Sequence, residues 1–185
     1  MRYKLLLVLL FAVALFAAIS VLRPIGEAGL KSQTEFEAQQ KVAAYFCPED
    51  DCSGKLIAEI DNAKIYVHIA IYSFTHKDIA DALVSARLRG VEVKVLFDKQ
   101  QAAGDFSVDE TLVAAGIEVK YDTLSGYMHD KFTVIDDKIA TTGSFNYTQN
   151  ADTRNAENLV IMNAEDVATK FELEFQKLWE KSNGS

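Results

Sequence analysis

The segment Lys64-Ile-Tyr-Val-His-Ile-Ala-Ile-Tyr72, with Thr75-His-Lys-Asp-Ile-Ala-Asp-Ala-Leu-Val-Ser-Ala-Arg-Leu-Arg89-Gly90 and Val91-Glu-Val-Lys-Val-Leu-Phe97 after it, decides the fold class. The first piece is β-branched and aromatic, as a strand is. The second opens on a helix-start pattern and stops at a glycine. The third is again apolar and strand-like. Strand, helix and strand in this order make an α/β unit. On the first strand His68 shares a face with Lys64, Tyr66, Ala70 and Tyr72, and the other face carries Ile65, Val67, Ile69 and Ile71. His68 is therefore read as structural, and His76 as an exposed or capping neighbour of the helix start.

The alternation continues on both sides. A short strand is expected near Tyr45-Phe46 and a helix near Lys55–Ala63. Ser107-Val108-Asp109-Glu110 offers a capping signal for a short helix ending before Gly116, and Ile117–Tyr121 is the next strand. Lys131–Ile135 and Ile139–Thr142 form a hairpin around Asp136-Asp137-Lys138. A strand at Asn158–Met162 leads into a helix from Glu165 to Lys181, where Val167, Phe171, Phe175, Leu178 and Trp179 recur at helical spacing. Because a hairpin interrupts the crossovers, the expected fold is a one-domain α-β-α sandwich around a mixed, mostly parallel sheet. Within 185 residues that are 49% hydrophobic, one such core is what the chain has room for.

The ends of the chain carry different information. Arg2 and Lys4 precede an uncharged run from Leu5 to Leu22 that closes at Arg23-Pro24. Residues 1–23 are read as a signal peptide or an uncleaved signal anchor, with residues 5–22 as the possible membrane attachment. The domain is thus expected to be exported: periplasmic, secreted, or anchored outside the cytoplasm. Residues 24–44 form a linker and a helix, which Ser32-Gln33-Thr34-Glu35 opens as a capping box and which runs to about Ala44. The main domain then spans 45–181. Cys47 and Cys52, the only two cysteines, are read as a disulfide of the exported domain, with two buried free thiols as the alternative; a structural zinc site would need further Cys or His neighbours. Beyond residue 23 the chain holds 16 basic against 27 acidic side chains, a net charge of −11. That excludes a broadly basic, polyanion-coating surface, so a nucleic-acid substrate would need a local cleft formed by Lys131 and such neighbours as Lys99, Lys120 and Arg154.

Chemistry concentrates between Ser125 and Glu157, beginning with Ser125-Gly-Tyr-Met-His-Asp-Lys131. His129 and Lys131 are two residues apart in strand-like sequence, so an imidazole and an ammonium are expected on one side. Asp136, Gly143-Ser144-Phe145-Asn146, Asn155 and Glu157 come next along the chain. Lysine supplies charge for phosphate oxygens, histidine attacks phosphorus or moves a proton, and Ser144 and Asn146 add neutral donors. The inventory calls for no metal and no other cofactor. Dinucleotide, nucleoside-triphosphate, serine-hydrolase and zincin motifs are missing.

The run H-x-K-x-x-x-x-D, six residues, then G-S-x-N, with Glu157 beyond it, resembles the signature of the phospholipase D superfamily. Tyr72-Ser-Phe-Thr75 and Arg89-Gly-Val91 resemble its small, single-motif bacterial branch, typified by the Nuc endonuclease. The similarity covers roughly Tyr45 to Trp179. The resemblance implies a metal-independent phosphodiesterase working through a phosphohistidine, with His129, Lys131 and Glu157 catalytic. Lys131, Ser144 and Asn146 would bind the substrate phosphate, and Glu157 would orient His129. Asp136 and Gly143 belong to the motif, and Asp136 is read as bracing the hairpin. Two histidines are needed and the motif supplies one, so a homodimer with a shared active site is implied. Nucleic acid is the favoured substrate and phospholipid the alternative. A non-catalytic, membrane-tethered nucleic-acid receptor is a third reading.

Overall fold

β2 (Tyr66–Ile71) is buried along its whole length because it lies inside a sheet, with helices on both faces. The structure, a computed structural model, describes residues 41–184. The expected leader and the linker up to residue 40 lie outside the described residues. Those described form an eight-stranded sheet of order β1-β7-β6-β5-β2-β3-β4-β8. The other strands are β1 (Lys41–Cys47), β3 (Glu92–Phe97), β4 (Glu118–Tyr121), β5 (Lys131–Ile135), β6 (Ile139–Gly143), β7 (Glu157–Asn163) and β8 (Asn183–Gly184). The helices are α1 (Cys52–Asn62), α2 (Lys77–Leu88), α3 (Lys99–Ala102), α4 (Asp109–Ala114), α5 (Gln149–Thr153) and α6 (Glu165–Glu180).

Strand alternation divides the core into two layers. Val67, Ile69 and Ile71 of β2 pack with Val93, Val95 and Phe97 of β3 against Leu56 and Ile60 of α1, Ile79 and Leu83 of α2, and Leu112 of α4. Tyr66, Ala70, Leu96, Phe132 and Val134 point the other way, onto Ala168, Phe175 and Trp179 of α6. The expected α/β sandwich with a mixed sheet is therefore present. Gly90, at φ +91, ends α2, and Val91 N–H then returns to the Ala86 carbonyl.

Four details differ from expectation. Parallel pairing is confined to β2-β3 and β3-β4, and the other five pairings are antiparallel. The sheet thus leans antiparallel rather than parallel, since β5 and β6 form a hairpin against β2, and β7 and β1 extend it antiparallel. Lys41–Ala44, expected in a helix, belong to β1, where every residue from Lys41 to Cys47 has a partner on β7. Val42 and Phe46 on one face alternate with Ala43, Tyr45 and Cys47, and ladder pairing outweighs helix propensity. Ser107 does not cap α4; Val108 holds the cap position without a side-chain bond. His76 holds the N-cap position of α2, one of its two expected places, but makes no side-chain cap bond and is buried rather than exposed, with its Nε2 3.5 Å from Asp152 Oδ2.

Cys47 and Cys52 are joined, closing the loop 48–51 between β1 and α1. No helix among the described residues is long and apolar enough to cross a membrane.

Candidate active site

The sheet register carries the motif residues to one end of the molecule. Thr133 pairs with Thr141, which sets the start of β5 beside the end of β6, and Gly143 pairs with Leu159 near the start of β7. Lys131, Ser144 and Glu157 therefore share one sheet end, where β2 also delivers Tyr72.

His129 lies in the loop before β5 rather than on the strand, and its side chain is exposed. It still meets Lys131: the ammonium donates to the His129 carbonyl at 2.8 Å and lies 3.3 Å from Nδ1. Nε2 has no hydrogen-bond partner among the described residues. Tyr72 supplies the floor, with its ring centroid 4.4 Å from the imidazole and 5.0 Å from Lys131 Nζ. Tyr127 meets the Tyr72 ring edge-on at 5.7 Å. Tyr72 stands out in the sequence as the end of a strand and as part of the family-like Tyr72-Ser-Phe-Thr75; nothing in the pattern ties it to a histidine so far along the chain.

Lys131 is 9% exposed. Burial lowers its pKa from the ordinary lysine value, and the charges of Asp130 and Glu157 pull the other way. Burial raises the pKa of Asp130, as does the charge of Glu174, against the pull of Lys131 and His129. A half-desolvated ammonium held beside an exposed imidazole suits an anionic ligand, because its charge is less screened there than in bulk water.

Ser144 donates to Glu157 Oε2 and accepts from Asn158 N–H at 3.1 Å. Asn155 Nδ2 donates to Glu157 Oε1 at 3.2 Å. The expected orienting contact from Glu157 to His129 is therefore not made within this chain: both carboxylate oxygens are engaged by Ser144 and Asn155, and His129 Nδ1 faces Lys131 instead. Asn146 keeps a buried Oδ1 with no hydrogen-bond partner. Gly143, at φ +149, leaves no room for a side chain: a Cβ there would stand 2.1 Å from the Asn158 carbonyl oxygen.

Other singled-out residues lie outside this cluster. Asp136, at φ +55, accepts from Lys64 N–H and Ile65 N–H at 2.8 Å and from Tyr66 N–H at 2.9 Å. It thus ties the β5-β6 turn to the start of β2. His68 is sandwiched between Tyr66 and Phe175, with Glu172 at Nδ1 (2.9 Å) and Glu92 at Nε2 (3.0 Å). It is structural, on the α6 side of the sheet. Among the described residues, no three His, Cys, Asp or Glu gather as metal ligands.

Residues 56–179 match the family model described as "Cardiolipin synthase, PLD-like domain". The chain belongs to the phospholipase D superfamily. A phospholipase D of Rickettsia bellii is 36% identical over 134 residues, 72% of this chain and 67% of that protein. A mitochondrial cardiolipin hydrolase of Xenopus laevis is 33% identical over 138 residues, 73% of this chain and 66% of that protein. Among solved structures, the phospholipase D family member Nuc from Salmonella typhimurium superposes with a TM-score of 0.75 at 33% identity, over 79% of this chain and 98% of that one. NucT from Helicobacter pylori gives 0.75 at 31%, over 79% and 99%. Phospholipase D-like hydrolases are thus this chain's relatives, and its fold matches the single-motif members.

Proposed function

We propose that the chain is a phosphodiesterase acting through a phosphohistidine at His129, without a metal ion in the reaction, and that nucleic acid is its substrate. The observation that carries this is the exposed His129 imidazole 3.3 Å from the partly desolvated Lys131 ammonium. A bound phosphodiester competes for that ammonium, drawing it from Nδ1 to a nonbridging oxygen. The ring proton, on Nε2 while the ammonium donates to Nδ1, then passes to Nδ1 through solvent, and Nε2 attacks phosphorus. Lys131, Ser144 and Asn146 hold the oxygens as charge builds in the pentavalent transition state. The His129 of a second copy protonates the leaving oxygen and then activates water to release the enzyme. The dimer is part of this proposal because each motif supplies one histidine. So is export, with residues 5–22 as leader or anchor.

Similarity to Nuc over nearly its whole length supports nucleic acid, in line with the resemblance to the single-motif endonucleases. A second reading, hydrolysis of phospholipid headgroups, is favoured by the names of the curated relatives and by the exposed Leu124 and Tyr127 in the loop leading to His129. The test is the full chain in mild detergent with excess chelator, offered single-stranded DNA, duplex DNA, RNA, phosphatidylcholine and cardiolipin. Cleavage of nucleic acid with a trapped phosphohistidine at residue 129 is expected. Lipid turnover alone overturns the substrate assignment, and dependence on added metal overturns the mechanism. Mixed dimers of wild-type and His129→Asn subunits should lose most turnover; full activity would refute the shared site.

A further inference from the structure

His129 must be both exposed and fixed, and its side chain has few anchors, so its placement falls to the backbone on either side. After it, Tyr72 N–H donates to the Asp130 carbonyl at 2.9 Å. Before it, Met128 N–H donates to Asp98 Oδ2 at 3.0 Å. Asp98 stands immediately after β3 and is fully buried, and no cationic side chain among the described residues bonds to it. Its other oxygen accepts from Gln100 and Gln101 N–H, both at 3.0 Å, so it also caps α3. Asp122, immediately after β4 and 3% exposed, returns the arrangement: Oδ2 accepts from Lys99 N–H and Oδ1 from Leu124 N–H, both at 2.8 Å. Lys99 Nζ closes the figure on the Leu124 carbonyl at 2.7 Å. Each loop thus gives a buried carboxylate to the other's amide. Because β3 and β4 are parallel neighbours, both carboxylates fall at the same sheet end as the site.

We propose that Asp98 is a positioning residue for His129, setting the height of the imidazole above Tyr72 through the Met128 amide, and that Asp122 locks the loop carrying Asp98. A buried carboxylate filled by three backbone donors is a stiff anchor, since any shift of the loop leaves a desolvated acceptor unmatched. Such an anchor adds nothing to phosphate binding, which Lys131, Ser144 and Asn146 perform from other elements. Its loss should therefore act on the rate of attack and spare affinity.

The inference rests on His129 being the nucleophile, and the test separates the two ideas. In full-length protein, Asp98→Asn keeps the shape and one acceptor oxygen but presents an NH2 group to one of its former donors. A second variant carries the α-hydroxy analogue of methionine at 128, which deletes a single amide proton and leaves Asp98 intact. With a cleavable phosphodiester, both should lower kcat and the rate of phosphohistidine formation by about tenfold to a hundredfold, as a displacement near 1 Å does, with KM within twofold. Independently of any substrate, hydrogen exchange at the Met128 amide in wild type should be slow, and should quicken at least tenfold in Asp98→Asn. Unchanged kcat per titrated active site in the hydroxy-acid variant overturns the inference, as does unchanged Met128 protection in Asp98→Asn. Wild type that cleaves but never labels at residue 129 sinks the nucleophile assignment instead, whatever the exchange data show.

Discussion

Replacing Asp136 should cost stability and leave the chemistry of the site alone, although it belongs to the motif that names the family. Its carboxylate accepts three backbone N–H groups at the start of β2, and of these only the bond from Tyr66 is partly buried. Charge-assisted bonds in water-exposed settings contribute about 0.5 kcal/mol each, and the sheltered one about 1–1.5 kcal/mol. The carboxylate is therefore worth about 2–2.5 kcal/mol. Asp136 and Asp137 both have φ near +55, the two central positions of a type I′ turn closed by Lys138 N–H to the Ile135 carbonyl. Alanine at 136 adds about 1 kcal/mol for the left-handed backbone, which glycine avoids. Stability should fall in the order wild type, Asp136→Asn, Asp136→Gly, Asp136→Ala, the last by about 3–3.5 kcal/mol, or roughly 10 °C in Tm. Meanwhile Lys131 stands five residues back, at the far end of β5, roughly 17 Å away. Urea unfolding paired with kcat well below each variant's Tm is the assay. An Asp136→Asn protein with wild-type stability and a tenfold or greater loss of kcat would refute the reasoning.

Three further outcomes are expected. Gly143→Ala should destabilise by more than about 2 kcal/mol and disturb Ser144, since the new Cβ meets the Asn158 carbonyl; a crystal structure or thermal scan matching wild type would count against that contact. Burial raises the pKa of Glu172, but bonds from His68 and Gln176 and the charges of His68 and Lys94 outweigh it and leave it lowered. Its contribution is thus complete above the unfolded carboxylate range and lost as pH falls through the folded value. The wild-type Tm should drop on acidification across and below about pH 4.3, more than that of Glu172→Gln; equal slopes would exclude the linkage. Opening the disulfide, which closes a loop of sequence separation 5, should cost about 2 kcal/mol by loop entropy, read as a lower Tm in dithiothreitol that Cys47→Ser/Cys52→Ser reproduces without reductant.

How much the sequence disclosed depends on whether a signal was local. β2, α2 and β3 follow from side-chain patterns within a few residues, and the structure places them within two residues of the expected ends. β1 was divided between a helix and a strand because Lys41–Ala44 is neutral in pattern, and only its distant partner β7 decides. α3 and α5 are too short to show periodicity. In the site, His129 and Lys131 meet as expected, but through a loop rather than strand geometry. Glu157 lies at the same sheet end, and its bonds go to Ser144 and Asn155, which no spacing rule reveals. Asp98 and Asp122 left one trace, an aspartate directly after each of two consecutive strands.

Pairing of β1 with β7 has a consequence for how the chain is made. Lys41 leaves the ribosome more than a hundred residues before its partner Asn163, so the first strand of the sheet waits the longest for a neighbour. During that delay the residues of the Cys47–Cys52 ring, whose ends are 5 apart in the chain, have all emerged, whereas the strand beside it has not. Fragments that stop short of residue 157 would leave Val42 and Phe46 on a segment with no ladder to join, and are expected to aggregate or be degraded where the finished protein persists.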